Sequence, residues 1–387
     1  MKKKIAILGS TGSIGKTLFN IILKEKKNFE LVLLTANKSH EILIKQAKAL
    51  NVKNLIITNK KSFEFLKKKT KNTKISVFND YTKLDKIFKK KIDYVMSSIS
   101  GIQGLEPTIK IIKFTKKIAI ANKESIICGW NLIQSQLKKY KTEFIPVDSE
   151  HFSIWYGLKN FKSTTLEEVI LTASGGPFYK TPLSKFKNIK VSDALNHPNW
   201  KMGKKISTDS ATMINKVYEV MEARKIFDID YKKIKILIHP KSYVHSILKF
   251  KNGLINIIAH DTTMKVPIFN TLFLNSDRKL ETNKININIL NNINLNNINP
   301  KRFPMIKLLN FLPNNSSLFE TVIVAANDRL VELFLNNKIK FTEIQKNLFK
   351  IIKKKEFQKF KKKLPSNIKD ITNLNDYVRL KIEENNI

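Results

Sequence analysis

From residue 1 to 148, short apolar runs alternate with amphipathic stretches at the spacing of βαβ units feeding a parallel sheet. The runs predict strands at Ile5 to Leu8, Leu31 to Thr35, Asn54 to Thr58, Asp93 to Ser97, Ile118 to Ala121 and Glu143 to Val147. Three of the predicted elements run into small or polar residues: Gly9-Ser10-Thr11-Gly12, Ser98-Ile99-Ser100-Gly101 and Asn122-Lys123-Glu124. Such ends build ligand crevices at the carboxyl edge of a parallel sheet. From 149 to 273 the pattern changes to apolar strands at Val169 to Thr172, Ile234 to Ile238 and Leu254 to Ala259, around one amphipathic helical segment at 210 to 227. Residues 274 to 299 hold most of a near-repeat of Asn and Ile and read as a linker, with at most a marginal strand. Beyond it, from 300 to 387, apolar residues recur at helical spacing from Met305 through Leu330, Phe334 and Ile351. The expected architecture is α/β: a Rossmann-like parallel-sheet domain over 1–148, an α+β domain over 149–273, the linker, and a small helical domain over 300–387.

Composition narrows the class. With 42% hydrophobic and 27% charged residues over 387 positions, the chain is ordinarily globular. No run approaches the roughly 18 to 20 apolar residues that cross a bilayer, so a soluble protein with no membrane partner is expected. The opening Met1-Lys2-Lys3-Lys4 imitates a signal peptide, but the apolar run after it stops within four residues at Gly9, as a first strand would. The lone Cys128 excludes a disulfide framework and fits a reducing, cytoplasmic compartment. The 71 Lys+Arg against 32 Asp+Glu leave +39, which by itself suggests a nucleic-acid or anionic-membrane partner. The excess is almost all Lys, spread over the whole length with a surplus of Ile and Asn, and there are only 11 Gly and 11 Pro. An AT-rich coding sequence imposes that pattern, so the charge is read as solvated lysine faces, with no specific nucleic-acid partner.

Candidate chemistry sits at the strand ends. Ile5 to Gly15 reads as a strand, a glycine-spaced turn and a helix beginning near Lys16, whose first N–H groups can hold a pyrophosphate. After the second strand, Thr35-Ala36-Asn37-Lys38-Ser39 has no acid for a ribose 2′-hydroxyl and has a cation at Lys38, which favours NADP over NAD. Asp148 and Glu150 stand at i and i+2 beyond an apolar strand; in extended backbone they share a face and suit a hard divalent cation. Glu219 could add a third acid, on one helical face with Asn215 and Lys216. A cation site beside an anion-binding Lys suggests a phosphorylated, metal-chelating substrate. Ser174-Gly175-Gly176 can offer a hydroxyl and backbone N–H groups to an anion, and His197-Pro198-Asn199-Trp200-Lys201-Met202-Gly203 has the composition of a lid. His239, His245 and His260 show no metal-ligand spacing and are read as structural.

Taken in order, Gly9-Ser-Thr-Gly-Ser-Ile-Gly15, Ala121-Asn-Lys-Glu-Ser125, Pro146-Val-Asp-Ser-Glu-His151, Ser174-Gly-Gly-Pro-Phe178, His197-Pro-Asn-Trp200 and Asp209-Ser-Ala-Thr-Met-Ile-Asn-Lys216 with Glu219 resemble the 1-deoxy-D-xylulose 5-phosphate reductoisomerase family. Weaker similarity at Ala325-Ala-Asn327 extends the resemblance toward the C-terminus. It implies an NADPH-dependent, Mg²⁺- or Mn²⁺-dependent isomeroreduction in the methylerythritol phosphate route to isoprenoids, and a homodimer. The carbon skeleton would rearrange by retro-aldol cleavage and re-addition to an aldehyde that NADPH reduces. By resemblance, Asp148, Glu150 and Glu219 are metal ligands, which accounts for two acids sitting close together without a basic neighbour. Ser174, Ser210, Asn215 and Lys216 would hold the substrate phosphate, His197 and Trp200 would belong to the flap, and Lys123 and Ser149 would contact the substrate, Lys123 near the metal. Thr11, Gly12, Ser13, Ile14, Lys38, Asn122, Glu124 and Gly203 match cofactor contacts.

The chain departs from the family where Asn37 and Ser39 flank Lys38 in place of a glycine and an asparagine, and where Thr262-Thr263-Met264-Lys265 replaces a Pro-Asp-Met-Arg-like stretch. Asn tolerates positive φ, so Asn37 is expected to replace the glycine on that basis. Two other classes stay open at this point. One is a different NADP-dependent, metal-assisted dehydrogenase, against which the phosphate-binding set argues. The other is a basic nucleic-acid-binding protein, which the lack of clustered basic-aromatic motifs disfavours and a salt-insensitive failure to bind DNA or RNA would remove.

Overall fold

The computed structural model describes residues 2–274 and 276–384. It divides into two compact units, Met1–Ser125 with Leu132–Asp148 and Met264–Leu280, and Ile126–Asn131 with Ser149–Thr263 and Glu281–Ile387.

The first unit is built on seven strands: β1 (Lys3–Leu8), β2 (Phe29–Ala36), β3 (Asn54–Ile57), β4 (Ser76–Phe78), β5 (Ile92–Ser97), β6 (Thr115–Ile120) and β7 (Glu143–Pro146). They form one all-parallel sheet in the order β4-β3-β2-β1-β5-β6-β7. Parallel strands covered on both faces read as unbroken apolar runs, and Ile5 to Leu8 and Val95 to Met96 are completely buried. The six strands expected from the pattern are all present. The seventh, β4, escaped because three partly exposed edge residues carry no periodicity. The order reverses between β1 and β5, which places a topological switch point at the Gly9 and Ser98 strand ends. The first helix runs Ser13–Lys24, three residues earlier than expected, because Gly12 is its N-cap. Residues 264–280 return to this unit: the Tyr94 hydroxyl and Thr271 Oγ1 share a 2.7 Å hydrogen bond, and the Phe29 and Phe273 rings lie 5.5 Å apart.

The second unit holds β8 (Leu166–Ala173), β9 (Ile234–Ile238), β10 (Val244–Phe250), β11 (Ile255–Ala259) and β12 (Asn296–Asn297). Their sheet order is β11-β10-β8-β9-β12, with only β8 and β9 parallel. The helices Ser149–Gly157 and Ile214–Phe227 contribute Ile154, Val220 and Ala223 to a core with Val169, Leu171, Leu248 and Phe250. The pattern missed β10, whose run is interrupted by His245, Ser246 and Lys249, although it lies inside the sheet between β8 and β11. The Asn/Ile stretch holds a short helix, Ile287–Asn291, and the two-residue β12. The C-terminal helices Phe319–Leu335, Phe341–Ile352 and Ile368–Glu384 belong to this unit, the first of them buried over most of its length. Among the described residues no helix is long and apolar enough to cross a membrane.

Candidate active site

In the first unit the chain leaves β1 at Gly9 with φ +80, a left-handed conformation that a side chain would strain. A Cβ at Gly9 would also meet the Ser98 carbonyl at 2.8 Å, and one at Gly15 would collide with the Gly9 carbonyl. The turn is fixed from behind. Gly9 N–H donates to Thr35 Oγ1 at 2.9 Å, Ser10 N–H to the Thr35 carbonyl at 2.9 Å, and the Ser10 hydroxyl to Gln46 Oε1 at 2.8 Å. The Tyr81 hydroxyl donates to Thr35 Oγ1, and burial pushes that phenol up to about 12. Thr11, Gly12, Ser13 and Ile14 lie on the outer side of this buried support, exposed or half-buried, and the helix N-terminus at Ser13 has no side-chain cap. Its first N–H groups are thus available to an anion.

Lys38 is exposed beyond β2. Asn37 does not adopt positive φ, contrary to the expectation for it. Its side chain instead donates to Thr58 Oγ1 at 2.7 Å, tying the end of β2 to the residue after β3. Asn122 caps the helix Lys123–Tyr140, accepting from Ser125 N–H at 2.8 Å, and donates to the carbonyls of Ile99 and, at 2.7 Å, Gly101. Its side chain therefore joins the ends of β5 and β6, with Lys123 and Glu124 buried behind it. Lys123 Nζ lies 3.3 Å from Asp148, the last residue of the unit.

In the second unit Glu150 sits in the first turn of Ser149–Gly157, so it is helical and not on an extended strand shared with Asp148. The expectation of one extended face therefore fails: the chain turns into a helix one residue after Asp148. Glu219 comes from Ile214–Phe227, and one carboxylate oxygen of each acid lies within 4.8 Å of the other. The 210–227 segment is also not one helix. It breaks at Met213, φ 70, between Lys204–Thr212 and Ile214–Phe227, which separates Ser210 from the Asn215, Lys216, Glu219 face. On that face Asn215 donates to Glu219, and Lys216 donates to Glu219 and, at 2.6 Å, to Glu150. The acids do have basic neighbours, then, supplied from remote sequence by Lys216 and, for Asp148, by Lys123. Burial disfavours the Lys216 ammonium, but Glu150 and Glu219 outweigh it and hold its pKa above the ordinary lysine value. Ser149 donates to Glu150.

Sequence reasoning passed over His151 and Glu222. His151 is fully buried, its Nε2 2.9 Å from the Glu219 carbonyl and its Nδ1 3.4 Å from Glu222. This pair joins the helix bearing Glu150 to the helix bearing Glu219, and the i, i+3 spacing of Glu219 and Glu222 was the available signal.

Opposite chemistry gathers at Ser174. His197 Nε2 is 3.0 Å from Ser174 Oγ, which also accepts from Gly176 N–H at 3.0 Å. His197 Nδ1 accepts from the N–H groups of Asn199 and Trp200, so the ring proton belongs on Nε2, and burial lowers the imidazole pKa to about 4. Gly176, φ +64, lets its turn come so close to Ser210 that a Cβ would lie 3.0 Å from the Ser210 carbonyl. Trp200 meets the His245 ring edge-on at 6.2 Å, and His245 stacks on His260 at 3.7 Å. Gly203 caps Lys204–Thr212 and has open space around it.

Family models described as 1-deoxy-D-xylulose 5-phosphate reductoisomerase, its C-terminal domain and the DXP reductoisomerase C-terminal domain match residues 5–129, 144–227 and 261–381. The chain is 60% identical over 382 residues, 98% of each chain, to the 1-deoxy-D-xylulose 5-phosphate reductoisomerase of Pelagibacter ubique strain HTCC1062. Its fold is similar to the Zymomonas mobilis reductoisomerase solved with NADPH, at TM-score 0.88 and 28% identity over 100% of this chain and 99% of that one. It is also similar to a DOX-P reductoisomerase solved with NADPH, fosmidomycin and magnesium, at TM-score 0.89 and 27% identity over 99% and 98%.

Proposed function

The chain belongs to the 1-deoxy-D-xylulose 5-phosphate reductoisomerase family, and from that membership we propose how its own residues divide the work. The reaction is the NADPH- and magnesium-dependent isomeroreduction of 1-deoxy-D-xylulose 5-phosphate to 2-C-methyl-D-erythritol 4-phosphate in the methylerythritol phosphate pathway.

The observation that carries the residue assignment is the meeting of Glu150 and Glu219 with Lys216 on adjoining helices. An all-oxygen donor set fits a hard divalent cation, and Asp148, Glu150 and Glu219 would hold Mg²⁺ or Mn²⁺. Bound there, the cation supplies Lewis acidity toward the substrate oxygens. Lys123 and Ser149 orient the substrate backbone. Ser174, Ser210, Asn215 and Lys216 bind its phosphate, and neutral His197 donates from Nε2 on the same side. Trp200 and its neighbours close over the site and exclude water from the aldehyde before reduction.

The glycine turn fits a dinucleotide: glycines at 9 and 15, where a Cβ would strike the Ser98 and Gly9 carbonyls, let the chain fold tightly before an uncapped helix N-terminus that can face a pyrophosphate. Thr11, Gly12, Ser13 and Ile14 take the pyrophosphate side, and Lys38 takes the 2′-phosphate. Backbone groups at Asn122, Glu124 and Gly203 complete the cofactor contacts, since the Asn122 side chain is spent on capping. In functional terms we assign NADPH binding to 1–148 and the metal, phosphate and flap residues to 149–263, with 264–280 packed back on the first unit and the helices of 300–387 belonging to the second. The protein acts as a cytoplasmic homodimer; its one cysteine supports the compartment, and the exposed Ile255 and Ile257 on the outer strand β11 support self-association.

Purified protein supplied with 1-deoxy-D-xylulose 5-phosphate should oxidise NADPH only when Mg²⁺ or Mn²⁺ is added. Folded protein that is silent with both metals contradicts the reading.

A further inference from the structure

The helix Phe319–Leu335 carries a polar side chain, Asn327, into its buried face. Asn327 is fully buried, and its Nδ2 donates to Asp209 Oδ1 at 2.8 Å. The other Asp209 oxygen accepts from Lys205 Nζ at 2.9 Å, and Lys205 also lies 3.0 Å from Asp328, the next residue on the C-terminal helix. A carboxylate this buried persists only where it is both hydrogen-bonded and charge-paired. The Lys205 bond lies within Asp209's own helix, so the Asn327 bond is the one of the two that ties that helix to Phe319–Leu335 and fixes Asp209 against it.

That place matters because Asp209 directly precedes Ser210. The Ser210 carbonyl accepts from Met213 N–H at 3.1 Å in the left-handed break, and Gly176 packs against that same carbonyl. From Met213 the chain starts the helix that presents Asn215 and Lys216. A shift of Asp209 would move Ser210, the Ser174–Gly176 turn and that helix start together.

We propose that Asn327, acting through Asp209, is a positioning residue for the substrate phosphate, so that a helix of the C-terminal segment sets phosphate affinity without touching the ligand. The proposal rests on the reading of Ser174, Ser210, Asn215 and Lys216 as the phosphate site.

The test compares wild type, Asn327→Ala, and the exchange Asp209→Asn with Asn327→Asp, which restores the bond with donor and acceptor reversed. Calorimetry reads inorganic phosphate and NADPH binding, and turnover separates KM from kcat. In Asn327→Ala, KM for the sugar phosphate and the phosphate Kd should rise together by on the order of tenfold, the worth of one hydrogen bond to a buried charge. NADPH binding should stay at the wild-type value, kcat should change far less than KM, and the exchange should recover most of the lost phosphate affinity. A folded Asn327→Ala with unchanged phosphate affinity overturns the proposal. So does a parallel loss of phosphate and NADPH affinity that the exchange does not repair. If Asn327→Ala does not fold, the exchange decides alone: wild-type-like phosphate affinity supports the proposal and weakened affinity overturns it. Wild-type protein that turns over substrate yet binds no phosphate contradicts the phosphate-site reading itself, and the proposal with it.

Discussion

The two units solve recognition differently. The proposed nucleotide side of the first unit is made of backbone: a turn after β1 whose glycines let it fold tightly on itself, supported from below by Thr35, Ser10 and Gln46. The acid site of the second unit is made of side chains whose charges are matched across helices far apart in sequence, as in the bond from Lys216 to Glu150. Backbone recognition tolerates side-chain change but not added bulk. Charge recognition tolerates neither a lost carboxylate nor a misplaced one. The chain can therefore lose one function while keeping the other, and that separation is what substitutions should expose.

The largest effect is expected from Glu219→Gln, which removes a charge from the acid pair. Turnover should fall by on the order of a thousandfold while NADPH affinity, read by quenching of protein fluorescence, stays near wild type. Gly15→Val should do the reverse. Its side chain has no space against the Gly9 carbonyl, and NADPH should bind about ten- to a hundredfold more weakly with Mg²⁺ binding intact. A milder version of the first is Glu222→Gln, which loosens His151 and so the seat of Glu150 and Glu219. Mg²⁺ affinity should drop by about tenfold, with NADPH again unaffected. Equal losses of both ligands in any of these three would mean that the two sites are not separable.

Acid should act on the second unit through His197. Because burial lowers its pKa from 6.5 to about 4, the unfolded chain takes up a proton before the folded one does. Stability conferred by the neutral ring is complete above about pH 6.5 and is lost as pH falls toward 4. Melting temperatures between pH 7 and 5 should fall more steeply for wild type than for His197→Asn. The smallest effect is expected at Lys38, which is exposed: Lys38→Gln should weaken NADPH by only a few-fold and leave NADH unchanged.

Legibility in the sequence followed the same division. Strand, turn and helix of the first unit are contiguous, so Ile5 to Gly15 displayed its chemistry in one stretch, and six strands stood out as apolar runs. What failed there was local: β4 is three residues long, and Asn37 serves through its side chain and not through its backbone. In the second unit the residue types were legible but their partners were not. Glu150 entered a helix, Met213 broke what looked like one amphipathic segment, and Lys216 turned to the acids. Asn327 and Asp209 lie 118 residues apart, and nothing in either local pattern reports a contact made only by tertiary packing.

The separation of the two functions is tested most directly by calorimetric titration of Mg²⁺ and of NADPH into wild type, Glu219→Gln and Gly15→Val. Glu219→Gln is expected to lose the Mg²⁺ signal and keep that of NADPH, while Gly15→Val keeps Mg²⁺ and binds NADPH about ten- to a hundredfold more weakly. Folded Glu219→Gln that binds Mg²⁺ as wild type does would contradict that expectation.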